Sequence, residues 1–595
     1  MNVESHEEII HPEPTGFFRK YVWSYDHKVI AKQYFFTTMC FLLLGGFLAM
    51  LIRWQLAYPF QPVPILGKLL ASRFFFDSTG AITPSGYLQI VTLHGTIMVF
   101  FVMIPLLVGA FGNFLIPLQI GARDVAFPLL NALSYWLYVL GGIVILSSLF
   151  LRQGAAESGW TAYPPLSDVS TATPGSGMGQ IFWLIAIFIV GFSSIVGGIN
   201  FLTTIVKMRA PGMTWGRLPL VTWAQLITAV FQTLATPVLG AAATLMLCDK
   251  LLKTAYFIPT GLQSADQLIG GAGGGHPLLW QHLFWFYSHP AVYILVLPAM
   301  GIASELIATF SRKPIFGYKP MVVSLAVIMG LGFVVWGHHM FVSGMSPAMA
   351  TGFMMTTMLI ALPSSVKVFN WLGTLWKGSI QLTSAGLCGI SFVAMFIIGG
   401  LSGIFLAATP VDIYLHDSYY VIAHFHYIVF GASLFAIFGG IYYWFPKMFG
   451  RMMNERLGKL HWLLTFITFN LTFFPMHFLG EGGQMRRLAT ITNYEFLQPL
   501  QNLNVFISIA AFLLGISQLI FIFNFFYSML YGKKAPANPW NATGLEWTLP
   551  SPVPYYNFEK IPMVYRGPYE YSSPEALKQG KDWIAQSDPL GFEKS

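Results

Sequence analysis

Twelve long apolar runs leave this chain one class of fold. They span about 34–56, 88–117, 126–151, 180–206, 218–247, 278–308, 320–341, 350–369, 379–407, 418–446, 460–479 and 501–531. A bilayer core takes roughly 20 apolar residues per helix. Lipid satisfies no backbone polar group, so each run is read as a helix. The alternating strands of a membrane barrel are not seen. Only 9% of the residues are charged, against about 25% in soluble proteins. That excludes a cytosolic enzyme, a disordered scaffold and a nucleic-acid binder. The expected fold is an all-α polytopic membrane protein with twelve transmembrane helices in the lipid bilayer.

Residues 1–33 hold no apolar run and are read as a cytoplasmic N-terminal segment rather than a signal peptide. Residues 34–531 form the helical domain. Residues 532–595, rich in Pro and Tyr, form a cytoplasmic C-terminal tail. With twelve spans both termini lie on one side. Loops on that side, with the N-terminal segment and the start of the tail, carry eighteen Lys and Arg against seven opposite. Basic residues concentrate on the inner side, which places both termini in the cytoplasm.

Cys40, Cys248 and Cys388 show no CxxC spacing, which argues against a disulfide framework, thiolate zinc or an iron–sulfur cluster. The histidines say more. Eight fall in spans or at their ends: His94, His282, His289, His338, His339, His424, His426 and His477. One such histidine commonly makes a helix–helix hydrogen bond. Eight mark a site, because polar groups in lipid are expensive and neutral imidazole is the commonest side-chain metal ligand. His424 and His426 point about 200° apart around one helix, so they serve different groups on opposite faces. His338 and His339, about 100° apart, converge on one ion if the helix relaxes. His289 and Tyr293 share a face. Imidazole ligation suits copper, iron or zinc. His27, His276 and His461, in loops or at span edges, are expected to be solvated.

Three runs, in this order and on these spans, resemble subunit I of the haem–copper terminal oxidases. They are His289–Pro290–Ala291–Val292–Tyr293, then Trp336–Gly337–His338–His339–Met340–Phe341, then His416–Asp417–Ser418–Tyr419–Tyr420 leading to His424–Phe425–His426. His94–Gly95–Thr96–Ile97–Met98, the loop 121–128, the turn 160–165 and Arg486–Arg487 extend the resemblance over about residues 20–560. It implies a proton-pumping enzyme of a bacterial cell membrane that reduces oxygen to water with electrons from cytochrome c. It also implies two haems of haem A type, one copper, and magnesium or manganese. On this resemblance His94 and His426 ligate the low-spin haem iron and His424 the high-spin haem iron. His289, His338 and His339 bind the copper. Tyr293, catalytic, is joined to the His289 imidazole. His416 and Asp417 hold magnesium or manganese. Arg486 and Arg487 neutralise haem propionates, and Arg53 meets the formyl of haem A. A snorkelling Arg53 at a helix end is the other reading. His282 and His477 are given hydrogen-bonding roles.

Oxygen reduction consumes protons, so polar residues should lead inward. Asp124, Asn113, Asn131, Asn200, Ser193 and Ser194 resemble the family's D pathway. Lys367 lies within the eighth run, on one helix face with Ser364 and Thr357; these resemble the K pathway, which Ser304 could begin. A snorkelling Lys367 is the bland alternative. Many members carry Glu two residues after the first copper-ligating His; here Ala291 stands there, preceded by Tyr287–Ser288–His289. This resembles the A2 subgroup of bacterial caa-type oxidases, with the Tyr287 phenol as the relay.

The chain has no Cys/Met copper set and no CxxCH haem attachment. Electrons are therefore expected through a subunit II with a copper domain, alongside further small membrane subunits. Tyr293, Lys367 and Asp124 argue against nitric oxide reductase. A quinol oxidase would place polar residues where Leu44, Leu48 and Gly86 stand, with Gln89 alone fitting. A twelve-span transporter lacks such a histidine array.

Overall fold

The computed structural model describes residues 13–264, 267–268 and 273–590. It is a helical bundle. Among the described residues the one strand pairing longer than a single bridge joins Gln263–Ser264 to Gln267–Leu268. Among the described residues eleven helices are long and apolar enough to cross a membrane: α1 (His27–Ala57), α2 (Pro84–Ile120), α3 (Pro128–Phe150), α4 (Met178–Lys207), α5 (Leu220–Leu252), α6 (Pro277–Ser311), α8 (Pro347–Leu375), α9 (Ser384–Ala407), α10 (Tyr419–Phe449), α11 (Glu455–Glu481) and α12 (Glu495–Tyr531). The seventh apolar run differs from expectation. Its helix α7 (Tyr318–Gly332) has 15 residues, a rise of about 22 Å against a core of about 30 Å. The chain then tightens into a 3₁₀ turn, Trp336–Met340, that carries His338 and His339. Two adjacent side chains cannot converge from a regular helix, and the run ends as helix where they must.

Side chains set several helix starts. The oxygens of Asp26, Thr83, Ser346, Thr383, Ser418 and Asn454 each accept a first-turn backbone N–H, which satisfies donors the helix leaves free. Pro84 and Pro347 follow two of these caps, where a missing N–H costs nothing. Successive helices pack on one another from α3 to α6, and α1 packs against α12, which closes the bundle. Helices α2 and α6 are almost wholly buried, whereas α8 lies most exposed at the edge. Wide π-type turns occupy Ile97–Met103 and Pro105–Gly112 in α2 and His426–Ala432 in α10. Such turns often mark functional sites, and here they follow His94 and begin at His426.

The tail from residue 532 lies against one end of the bundle. Lys447 Nζ donates to the carbonyls of Ala537 (2.7 Å) and Leu549 (2.5 Å). Arg312 grips Asp582 through Nε (2.7 Å) and Nη2 (2.8 Å).

Candidate functional site

A cavity of about 1050 Å³ runs through the bundle, lined by His94, His289, His338, His339, His424 and His426 together with Arg53, Tyr293, Arg486 and Arg487. Most of its wall is apolar with a few placed polar groups, the usual make-up of a cofactor site. Helix α6 brings His289, the 3₁₀ turn brings His338 and His339, α2 brings His94, and α10 brings His424 and His426.

Three of these imidazoles meet. One ring nitrogen each of His289, His338 and His339 lie within 4.8 Å of one another. His289 Nδ1 and His338 Nε2 are each 3.1 Å from His339 Nε2. Imidazole nitrogens about 2.0–2.1 Å from one ion would stand roughly 3.3 Å apart, so the donor set fits a single metal ion. Its surroundings fix the rings. His338 Nδ1 is 3.0 Å from Thr357 Oγ1, and the Trp285 ring stacks on His339 at 3.9 Å between centroids. The Nε2 of His289 is buried with no hydrogen-bond partner among the described residues. That ring stands edge-on to Tyr293, 4.8 Å between centroids.

The other imidazoles share one device. His94 Nδ1 lies 2.9 Å from the Gly45 carbonyl, His424 Nδ1 2.9 Å from the Gly399 carbonyl, and His426 Nδ1 2.8 Å from the Ile422 carbonyl. A carbonyl only accepts, so each Nδ1 carries the proton and each Nε2 presents a lone pair. This is how ligating histidines are oriented, and it fits haem iron at each position. His424 and His426 meet different helices: His424 lies against Gly399 and Gly403 of α9, whereas the His426 ring stacks on Phe473 of α11 at 4.4 Å between centroids. Sequence reasoning missed Gly403. A Cβ there would lie 2.7 Å from His424 Cε1, so the His424 ring fills the space that glycine leaves.

Arg53 is 5% exposed and does not snorkel. It donates to Ser508 Oγ (3.0 Å) and the Asn504 carbonyl (2.8 Å), while its Nη1 is buried without a partner on the cavity wall. Arg487 donates to the Ser158 carbonyl (3.1 Å) and Thr161 Oγ1 (2.7 Å). Burial and then Arg486 lower its affinity for a proton, to a pKa of about 10. Arg486 pairs closely with Asp417. His416 Nε2 is 4.0 Å from Asp417, and its Nδ1 is 2.9 Å from Asp412. Asp412, one turn before His416, is a third group that sequence reasoning passed over.

A second cavity, of about 40 Å³, is lined by Asn113, Ser193, Ser194 and Tyr287, with Tyr34, Ser134 and Gln232 in addition. A water needs about 10–15 Å³, so the space has room for about three. Asn131 Nδ2 donates to Asn113 Oδ1 (2.6 Å), and Gln232 Nε2 to Ser194 Oγ (2.9 Å). Asn200 stands apart from this cavity: its Oδ1 accepts the Phe127 N–H (2.9 Å) beside the Asp124 loop. Asp124 retains some solvent exposure, but burial and the Asp26 charge push its pKa up to about 8. Tyr287 is buried and parallel to Phe100, and the Ser288 hydroxyl is buried without a partner.

Lys367 is 1% exposed, which sets aside snorkelling. Its Nζ lies 5.2 Å from the Trp371 ring, and Trp371 Nε1 donates to Ser304 Oγ (2.9 Å). Thr357 and Ser364 line the large cavity. His282 accepts from Trp336 Nε1 (3.3 Å), and His477 Nδ1 lies 3.0 Å from the Phe474 carbonyl. His276 is exposed and caps α6. His27 and His461 correct the expectation of solvated rings. Both are 0% exposed, His27 against the Asn113 carbonyl (2.7 Å) and His461 against Tyr442 (3.2 Å) and Gln518 (3.2 Å). Contacts from the tail and from α12 cover them, and neither is visible in local spacing.

A helical membrane bundle that gathers a three-nitrogen metal site and further free imidazoles in one apolar cavity defines a membrane metalloenzyme. The family model for cytochrome c and quinol oxidase polypeptide I matches residues 29–513. Cytochrome c oxidase subunit 1 of Synechocystis sp. is 45% identical over 559 residues, 94% of each chain. Alternative cytochrome c oxidase subunit 1 of Bradyrhizobium diazoefficiens is 43% identical over 98% of this chain and 95% of that one. A solved haem–copper terminal oxidase dimer superposes with TM-score 0.68 at 19% identity, over 86% of this chain and 85% of its own, a likeness of fold. The chain belongs to the cytochrome c and quinol oxidase polypeptide I family. It is the haem- and copper-bearing subunit of a multi-pass membrane terminal oxidase, an oxidoreductase that acts on oxygen with other subunits.

Proposed function

We propose that this chain is the catalytic subunit of a bacterial inner-membrane oxidase that takes electrons from cytochrome c, reduces oxygen to water and pumps protons. The observation that carries the reading is the convergence of His289, His338 and His339 in the cavity that also holds His94, His424 and His426. His289, His338 and His339 hold copper. His94 and His426 hold one haem iron and His424 the other, each through the Nε2 that its Nδ1 contact leaves free. The haems are of A type, with Arg53 Nη1 free to meet a formyl oxygen. Haem and copper bound there would supply the electrons that oxygen takes up. Tyr293, edge-on to His289, would give a phenol proton and an electron to oxygen held beside it. Arg486 and Arg487 bind carboxylates of the haem edge. His416 and Asp417 hold magnesium or manganese, with Asp412 orienting His416.

Protons come from the cytoplasmic face, where both termini of the twelve-span chain lie. Asp124 takes them up, and Asn113, Asn131, Asn200, Ser193 and Ser194 lead on to Tyr287 and Ser288. Ser304, Lys367, Ser364 and Thr357 form a second route toward the copper histidines. Cytochrome c, through the copper domain of a subunit II, is favoured over quinol because Gln89 is already engaged. It donates to Glu157 (3.1 Å) and accepts from the Ala155 N–H (3.2 Å). The purified protein should carry two haems of A type and one copper, by pyridine haemochrome spectrum and metal analysis. Absence of copper, or non-haem iron in its place, would overturn the reading.

A further inference from the structure

The loop 121–127 that carries Asp124 is held from two sides. Helix α4 fixes one half: Thr204 Oγ1 accepts the Ala126 N–H (2.8 Å) and Asn200 Oδ1 the Phe127 N–H (2.9 Å). The other half is held by the tail, where Arg123 Nη2 donates to the Glu559 carbonyl (3.0 Å) and one tail side chain bonds the loop backbone. Asn557 Nδ2 donates to the carbonyls of Ala122 (3.0 Å) and Arg123 (2.9 Å) and lies 2.8 Å from His27 Nε2. His27 Nδ1 is 2.7 Å from the Asn113 carbonyl, so the same amide reaches the first residue of the polar path above Asp124. Asn557 Oδ1 accepts from Lys28 Nζ (2.9 Å), which also pairs with Asp26 (3.2 Å) and bonds the Tyr555 carbonyl (2.7 Å).

The chemistry of this position selects its residue. The two loop carbonyls need donors and the Lys28 ammonium needs an acceptor; a carboxamide offers both from one planar group. The backbone at Asn557 has φ +58°, a left-handed conformation that asparagine tolerates better than most residues. The side chain is 1% exposed, so water does not replace the contacts it makes.

We propose that Asn557 is a positioning residue for proton uptake, holding the 122–123 backbone and His27 so that water reaches both the Asp124 carboxyl and Asn113. The tail is then part of the uptake machinery. This rests on the reading of Asp124 as the mouth of the path. The charged and titratable groups facing Asp124 are Asp26, His27 and Lys28 from α1, Arg123 beside it, and Tyr555 from the tail. Helix α4 presents the uncharged Thr204 and Asn200.

The test uses the complete oxidase in vesicles. Asn557→Gly keeps the left-handed backbone and removes the amide. Asn557→Asp keeps the acceptor for Lys28 and loses the donors. Each should slow proton uptake and pumping about tenfold, the effect of ~1.4 kcal/mol on a barrier, with unchanged haem spectra and copper content. The pH at which uptake falls should move down in the Gly variant, as water enters, and up in the Asp variant, as a like charge is added. Combined with Asp124→Asn, either change should add nothing, because both act through one group. Normal uptake and pumping in both variants while Asp124→Asn blocks them overturns the proposal, and so does an additive loss in the double variant. Normal uptake in Asp124→Asn itself instead overturns the assignment of the mouth.

Discussion

Thr357 Oγ1 lies 3.0 Å from Nδ1 of His338, so one hydroxyl joins α8 to the three-histidine cluster. The same hydroxyl donates to the Phe353 carbonyl at 2.5 Å. Its oxygen is therefore the acceptor toward His338, the proton sits on Nδ1, and Nε2 is left to face the copper site. Partners of this kind typically change metal affinity 10–100-fold when removed. Thr357→Val keeps the shape and removes the acceptor, and copper should be lost on dialysis against a chelator that leaves the native enzyme loaded. Thr357→Ser should retain it. Full copper retention in the Val variant would show that His338 is oriented by something else.

Gly403 gives a selective handle on one haem. A methyl at this position would sit 2.7 Å from His424 Cε1, too close without a shift, and the ring is also tied to Gly399. Gly403→Ala should displace the imidazole and alter the high-spin haem spectrum. The low-spin signal, assigned by proposal to His94 and His426, should persist. Loss of the low-spin signal alone would contradict the separation of the two faces of α10.

The histidine cluster was legible because its ligands come as local runs, and spacing of one or two residues fixes relative direction on a helix. Helix count was legible from the apolar runs except at 320–341, where the helix ends at Gly332 and the chain turns through Trp336–Met340. What local spacing hides is tertiary. Gly403 matters only because α9 faces α10, and Gln232 and Ser134 join the second cavity only once α3 and α5 both pack on α4. His27 and His461 look solvated in sequence, since the residues that bury them lie far along the chain: Asn557 for His27 and Gln518 for His461.

Asp124 sets a pH dependence. Burial and Asp26 raise its pKa to about 8, so the carboxyl is largely protonated at neutral pH. A path that starts with this group needs it reprotonated in each cycle. Uptake should hold nearly constant below about pH 8 and fall roughly tenfold per unit above. Asp26→Asn keeps a good helix cap and removes a like charge, so the fall should begin at lower pH. An unshifted profile in that variant would mean another group controls the mouth.

The proposed relay above Asp124 contains no carboxylate where many relatives carry Glu. Ala291 cannot carry a proton, and Tyr287, one turn before it, lines the ~40 Å³ cavity that Asn113, Ser193 and Ser194 also line. The cavity ends the polar path at the phenol, and the buried Ser288 hydroxyl without a partner stands beside it as the next group for water to bridge. A phenol both donates and accepts, so Tyr287 would pass the proton in one concerted step. Tyr287→Phe leaves the packing on Phe100 intact and removes only that step. Proton uptake and pumping in vesicles should fall at least about tenfold, ~1.4 kcal/mol on the barrier, with haem and copper content unchanged. In a Tyr287→Phe/Ala291→Glu enzyme the carboxyl, on the same helix face, should restore uptake. Full pumping by the Tyr287→Phe enzyme would reduce Tyr287 to a packing residue and move the relay to water ordered by Ser288 alone.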